Sequence, residues 1–311
     1  MASKTVITKP DDPNLYLIVK GREYKYNPDV KPLGGGAMGT VYLGYDCKSG
    51  EKVAVKRVKD QYSNYKQVRE RAKLEASLAF HHPNLVEMVG YCEYAPDKGP
   101  IFILSRYVKG VNIKTYVKQN LANADDRVER ICQMIFQVLD ALSYIHSKRF
   151  IHRDIKPSNI MASSEDNVKL MDLGIARMNG GNKFSTVGFI GTPQYSAPEQ
   201  ILRGDDEEEM QMGPSTDLYA LGITLYELIT GDNPYKSNNE VETLTRQIQK
   251  KLPVSKDIPW ALMKVLRKAT AKEPANRYQS ADEMKVALKD ALAQGETLID
   301  KVRIVLPFLF K

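Results

Sequence analysis

The spacing of hydrophobic and polar positions changes about one third of the way along this chain. Residues 15–26 (LYLIVKGREYKY) are rich in β-branched and tyrosine side chains around Gly21, which predicts a hairpin. Residues 53–58 alternate and β-branch like a strand, and residues 101–108 predict another. Between them, residues 65–80 are charged with few breakers and predict a helix that Pro83 ends. The later period is helical. Residues 127–148 place Ile131, Ile135, Leu139, Leu142 and Ile145 at helical spacing, so one buried face is expected. Residues 218–230 (LYALGITLYELIT) are apolar nearly all round, as a helix in the middle of a larger core must be. Residues 259–270 and 280–293 predict two amphipathic helices, the second opened by a capping box of Ser280 and Glu283. A strand-rich first third therefore precedes a helix-rich remainder. The joint is expected near Lys109–Gly110, and there is no internal repeat.

Composition narrows the class. A chain of 311 residues is too long for one small core and fits about two lobes. With 42% apolar and 27% charged residues it has the make-up of a globular protein, which excludes wholesale disorder. Cys47, Cys92 and Cys132 are scattered without metal-ligand spacing, so reduced thiols and a cytoplasmic location are expected. The net charge of +7 would suit acidic partners or nucleic acid. Zinc spacing and arginine-rich tracts are both missing, so a solvated basic surface is the reading and no nucleic-acid partner is expected. The first ten residues carry no apolar central stretch of the secretory type. No run approaches the ~18 apolar residues of a membrane span. Residues 304–310 (IVLPFLF) are apolar but short. They are expected to pack on the body of the protein, with a membrane-proximal or partner-docking tail as the alternative.

Candidate chemistry begins at Gly34, Gly35, Gly36, Ala37, Met38, Gly39, Thr40 and Val41, a G-x-G-x-x-G-x-V run. Glycines let backbone amides approach phosphate oxygens. The motif alone also fits a dinucleotide fold or a plain turn. Here it continues into Thr40-Val41-Tyr42-Leu43, strand-like, whereas a Rossmann loop opens a helix. Val53-Ala54-Val55-Lys56 follows, and a lysine on a strand under a glycine flap can pair with nucleotide phosphates. Residues 152–159 read His-Arg-Asp-Ile-Lys-Pro-Ser-Asn, Asp172-Leu173-Gly174 comes next, and then Ala197-Pro198-Glu199.

In these motifs and their order the chain resembles the Hanks-type protein kinases, in their eukaryotic-like serine/threonine branch. The resemblance spans residues 27–292. It implies an α+β, bilobal kinase-like fold: a small antiparallel sheet lobe with one main helix (about 27–108) and a larger, mainly α-helical lobe (about 109–292), with ATP between them. Residues 1–26 would be an N-terminal extension with a hairpin, and residues 293–311 a C-terminal tail.

The resemblance also implies roles. Catalysis of phosphoryl transfer is positioning plus charge stabilisation. Asp154 would accept the substrate hydroxyl proton, and Lys156 would place positive charge near the transferring phosphate. Asn159 and Asp172 would hold Mg²⁺, with Mn²⁺ as an alternative ion. Lys56 would need a glutamate on the first-lobe helix. Glu75, 19 residues on, has the family's spacing from it, although counting back from His82-Pro83 points to Lys73; Glu70 is the fallback. Leu33, the glycine run with Ala37, Met38 and Thr40, then Val41 and Ala54 would enclose ATP, and adenine would meet backbone groups of Arg106 and Val108. Ser105 would guard the rear pocket, where most relatives carry something larger. Glu199 would pair with Arg277, and Asp217 would accept hydrogen bonds from the catalytic-loop backbone. Lys156 together with Thr192 resembles the serine/threonine branch.

Leu173 replaces the family's phenylalanine and keeps an apolar contact. Arg153 beside Asp154 implies control by phosphorylation of the activation segment, residues 172–199, with Ser185 and Thr186 as candidate sites. A dimer would serve trans-autophosphorylation. The acidic run at residues 205–209 reads as a solvated loop, or as an attractor of basic substrates. The activity so implied is transfer of phosphate from ATP to protein hydroxyls. The competing class is a pseudokinase scaffold, and a small-molecule kinase is a third; Lys56, Asp154, Asn159 and Asp172 argue against the former and the Thr192 platform against the latter.

Overall fold

The computed structural model describes residues 5–36, 39–63, 66–95, 98–172, 193–202 and 212–305. They fall into two units, one running to Lys109 and the other comprising Gly110–Asp172 and the described residues after it.

The first unit is a sheet with one substantial helix. Its strands are β1 (Val6–Thr8), β2 (Leu15–Val19), β3 (Arg22–Tyr26), β4 (Gly34–Gly35), β5 (Gly39–Asp46) and β6 (Lys52–Val58). A single turn, α1 (Asp60–Ser63), and the helix α2 (Lys66–Ser77) precede β7 (Met88–Ala95) and β8 (Lys98–Arg106). All pairings are antiparallel, in the order β1-β2-β3-β5-β6-β8-β7, with β4 on β5. The β2–β3 hairpin closes on Lys20 and Gly21, both with positive φ (49° and 76°), the type I′ geometry whose twist matches the strands.

Alternation explains the two faces of this sheet. Leu17, Val19, Tyr24, Tyr26, Val53, Val55, Phe102 and Leu104 turn inward to one core. Val58, Ile101 and Ile103 turn the other way, onto Val68, Ala72 and Ala76 of α2. The hairpin of residues 15–26 is thus continuous with the sheet, and it covers a face that would otherwise be wet. Closure brings β2 against β7 so tightly that a Cβ on Gly90 would lie 2.5 Å from Val19 Cγ1, and only glycine fits there.

Helix α2 stops at Ser77, well before Pro83. The Ser77 hydroxyl donates to Leu74 O (2.7 Å), a local bond that competes with continued helix, so the chain leaves the helix before proline forces it to.

The second unit contains β9 (Val111–Asn112), α3 (Ile113–Asn120), α4 (Arg127–Ser147), β10 (Ile160–Ala162), β11 (Val168–Leu170), α5 (Pro198–Ile201), α6 (Pro214–Thr230), α7 (Glu240–Gln249), α8 (Trp260–Ala269) and α9 (Ala281–Val305). Helix α6 is buried along nearly its whole length and ends on Gly231 in the left-handed conformation. Helix α4 buries more than the one face its spacing predicts. Cys132, Met134, Phe136, Val138 and Ala141 are also covered, because α6, α9 and β11 pack around it from different sides.

Helix α9 starts with half of the expected capping box. Ser280 Oγ accepts from Glu283 N (3.1 Å), but the Glu283 carboxylate reaches back to Gln279 N (2.8 Å) instead of closing on Ser280. The helix runs to Val305, beyond the expected end at residue 293. Gly295 weakens a helix without stopping it, and the first true breaker is Pro307. Ile304 and Val305 belong to this helix, whereas residues 306–310 lie outside the described residues. Among the described residues no helix is long and apolar enough to cross a membrane. The three cysteines are free thiols, with Cys92 pushed up to about 12 by burial.

Candidate active site

The first unit contains the glycine-rich run, the strand that bears Lys56 and the segment that follows β8. Strands β4 and β5 pair antiparallel, with Gly34 opposite Val41 and Gly35 opposite Thr40. Leu33 N donates to Val41 O (2.8 Å) and Gly36 N to Gly39 O (2.9 Å), so the described ends of the glycine run pair as strands. Gly39 is required by packing: a Cβ there would stand 2.6 Å from Arg57 O on β6. Ala37 and Met38 lie outside the described residues.

Lys56 sits in mid-sheet on β6, between Val41 of β5 and Ile103 of β8. Val53 and Val55 point into the core, so Ala54 and Lys56 share the opposite face, and Ser105 pairs with Ala54 on that side. Arg106 N donates to Glu87 O (2.9 Å). The Arg106 guanidinium turns to Glu51 (2.6 Å). Val108 lies just past the end of β8.

Glu75 lies within α2, but its side chain is outside the described set. The fallback, Glu70, is exposed and paired with Lys66 at 3.8 Å, the arrangement of a solvated helical face. Lys73 turns to Glu93 (3.2 Å).

The second unit contains Asp154, the loop that holds it, Asn159 and Asp172. Asp217, fully buried on α6, accepts from His152 N (2.8 Å), Arg153 N (2.7 Å) and His146 Nε2 (2.8 Å). Two of these bonds hold the loop backbone, which lets Arg153 adopt a positive φ of 66°. His152 is buried, and burial lowers its imidazole below the ordinary value, so the ring is neutral. Its Nε2 faces Met171 O (3.0 Å), while Nδ1 accepts from Asp154 N (3.3 Å).

Asp154 thereby presents its carboxylate to two neighbours, Lys156 Nζ at 2.8 Å and Asn159 Nδ2 at 2.9 Å. Asn159 Nδ2 also donates to Asp154 O (2.8 Å). With the amide nitrogen so engaged, Oδ1 is the donor that remains for a hard cation. Met171, held by Asn159 O on one side and His152 on the other, sets Asp172 directly after the β10–β11 hairpin. An amide oxygen with a carboxylate is a donor set that fits Mg²⁺, which keeps several of its waters.

Behind this loop Glu199 and Arg277 meet in a buried two-pronged pair (2.7 and 2.8 Å), and Thr216 Oγ1 donates to Glu199 (2.8 Å). Sequence reasoning missed Gln200. It accepts from Ala197 N and donates to Arg153 O (both 3.0 Å), tying α5 to the loop that bears Asp154. Its position beside Glu199 was the only signal. Leu173, Ser185, Thr186 and Thr192 lie outside the described residues, as does the acidic run at 205–209.

The family profile described as the protein kinase domain matches residues 28–288. This chain belongs to the protein kinase family. It is 31% identical over 269 residues to serine/threonine-protein kinase PrkC of Bacillus subtilis, covering 84% of this chain and 40% of that protein. It is 34% identical over 266 residues to serine/threonine-protein kinase PknB of Mycobacterium tuberculosis, covering 82% and 41%. The chain therefore spans about 40% of the length of these curated relatives. Among solved structures it is similar to a single-substitution mutant of the PknI kinase domain of Mycobacterium tuberculosis, with TM-score 0.67 and 25% identity over 94% of this chain and 100% of that one.

Proposed function

We propose that this chain transfers the γ-phosphate of ATP to serine or threonine hydroxyls of protein substrates. The observation that carries the proposal is the Asp154 carboxylate, flanked at 2.8 and 2.9 Å by Lys156 and Asn159 on a loop pinned by Asp217. Asp154 orients the substrate hydroxyl and accepts its proton as the new O–P bond forms and the bond to ADP breaks. Lys156, in contact with the same carboxylate, holds positive charge where the transferring group passes. Asn159 Oδ1 and Asp172 would hold Mg²⁺, or Mn²⁺ in its place, where such an ion would supply neutralisation of phosphate charge. Lys56, paired with Glu75, positions the phosphates, and the β4–β5 flap supplies backbone amides. Arg106 O and Val108 receive adenine beside Ser105.

Thr192 contributes to the substrate platform, and the activation segment is switched by phosphorylation at Ser185 or Thr186, read by Arg153. Trans-autophosphorylation through a dimer, a signalling role and a cytoplasmic location for this part of the protein follow from the same reading.

The test is incubation with labelled ATP, Mg²⁺ and a generic basic protein, beside Asp154→Asn and Ser185→Ala/Thr186→Ala. Loss of the base should slow transfer by about 10²–10⁴-fold, and the loop variant should lose phosphate and activity together. Equal transfer by wild type and Asp154→Asn defeats the proposal. A loop variant with unchanged phosphate content and activity removes the switch alone.

A further inference from the structure

Helix α2 is an odd element to find docked on a sheet. It is twelve residues long and highly charged (KQVRERAKLEAS), and the core on its side of the sheet receives only Val68, Ala72 and Ala76 from it among the described residues. A helix of this length is marginal in water, so its position depends on tertiary contacts. One valine and two alanines cover little area.

The remaining anchor is polar and buried. Arg69 is 2% exposed, and its Nη1 meets Glu93 Oε2 on β7 at 2.5 Å. Nη2 donates to Gly99 O at 2.6 Å, so one guanidinium bridges from the helix to β7 and β8. One turn further on, Lys73 Nζ approaches the other oxygen of Glu93 at 3.2 Å. The Tyr91 hydroxyl donates to Glu93 Oε2 at 2.9 Å. Glu93 is thus held by three side-chain donors, two of them cations spaced i, i+4 on the helix. Burial disfavours its charge, yet Tyr91, Lys73 and Arg69 together keep the carboxyl below its ordinary value. The same residue receives the N-terminal strand, because the Thr5 hydroxyl donates to Glu93 O. Arg69 Nε is buried without a hydrogen-bond partner among the described residues.

We propose that Arg69, Lys73 and Glu93 are positioning residues that clamp helix α2 to β7 and thereby set Glu75 for its pairing with Lys56. The part concerning Glu75 and Lys56 rests on the proposed kinase activity; the clamp on α2 does not. Glu75 is six residues after Arg69 on one rigid helix, about 9 Å along its axis. A shift or tilt at the Arg69 anchor is carried to Glu75 as a displacement, and a misplacement near 1 Å can cost about 10²-fold in rate. Apolar contacts as sparse as these would let the helix slide. The fork of Arg69 on a carboxylate and a carbonyl fixes both its height and its rotation.

The experiment uses the whole chain carrying Glu93→Gln, Arg69→Met or Arg69→Lys, with two measurements. Steady-state kinetics should show kcat/KM for ATP falling about 10- to 100-fold in Glu93→Gln and Arg69→Met, mainly through kcat, at temperatures where both are folded. Arg69→Lys, which keeps a cation beside Glu93, should recover part of the loss. Amide hydrogen exchange should speed up roughly ten-fold across residues 66–77 while amides of β6 keep their protection. Unchanged exchange in α2 overturns the clamp. Faster exchange in α2 with unchanged kcat/KM overturns its link to catalysis. If Glu93→Gln and Arg69→Met do not fold, Arg69→Lys decides, and wild-type values in both measurements refute the proposal. If wild type transfers no more phosphate than Asp154→Asn, the kinase reading fails, while the exchange result still decides the clamp.

Discussion

Replacing Arg277 by methionine isolates the energetics of the buried pair that it forms with Glu199. Arg277 is 2% exposed and makes five hydrogen bonds: two to the Glu199 carboxylate, and one each to Ala271 O (2.7 Å), Lys272 O (2.7 Å) and Ser215 O (3.3 Å). Methionine fills similar volume but leaves Glu199, 1% exposed, with only the Thr216 hydroxyl among the described residues. Removing one partner of such a pair costs about 3–5 kcal/mol, because an uncompensated charge stays buried. Against a total stability of about 5–15 kcal/mol this is a large fraction. At about 2–4 °C per kcal/mol for a domain of this size, the melting temperature should drop by about 6–20 °C. Thermal and urea unfolding, followed with probes in the second unit, measure this directly. The double variant Arg277→Met/Glu199→Leu removes both charges and should recover most of the loss, to within about 1–2 kcal/mol of wild type. A single variant that loses less than about 1 kcal/mol, or a double variant no better than the single, would refute the reasoning.

Lys272, beside that pair, has its ammonium pushed down to about 8 by burial first and by Arg277 second. It donates to Gln247 O (2.7 Å), Tyr219 Oη (3.0 Å) and Tyr235 Oη (3.2 Å). Its folded-state value lies below the ordinary 10.5, so the unfolded chain binds the proton more tightly and stability rises with pH above about 8. The usable window closes near 10, where unfolded tyrosines begin to ionise. Discounted for partial exposure, the gain should be about 1–2 kcal/mol. Lys272→Met should flatten it, and identical pH profiles for the two proteins would exclude the effect. At the hinge, Ser105→Met should weaken bulky purine inhibitors at least roughly ten-fold, the effect of losing pocket volume to a large side chain. Equal inhibition of both proteins would show that Ser105 does not border that pocket.

Much of the architecture was legible from pattern. Strands β6 and β8 and helices α4, α6 and α8 appear within a few residues of their expected bounds, because each has a strong period of its own. Element ends were less legible. The early stop of α2 depends on where the Ser77 hydroxyl bonds, and the long run of α9 on the absence of a breaker before Pro307. Helix α4 looked one-sided because amphipathic spacing cannot show how many neighbours a helix will have.

The motif at residues 152–159 is contiguous, so it could be recognised letter by letter; local order along the chain carries that information by itself. Tertiary structure alone decided which distant groups meet. It placed Asp217 under the loop backbone, Gln200 on Arg153 O, and Arg69 on Glu93 across 24 positions of sequence. Such contacts have no period and no spacing rule. They are selected by burial, which makes an unpaired charge costly enough that a partner from elsewhere in the chain must be brought to it.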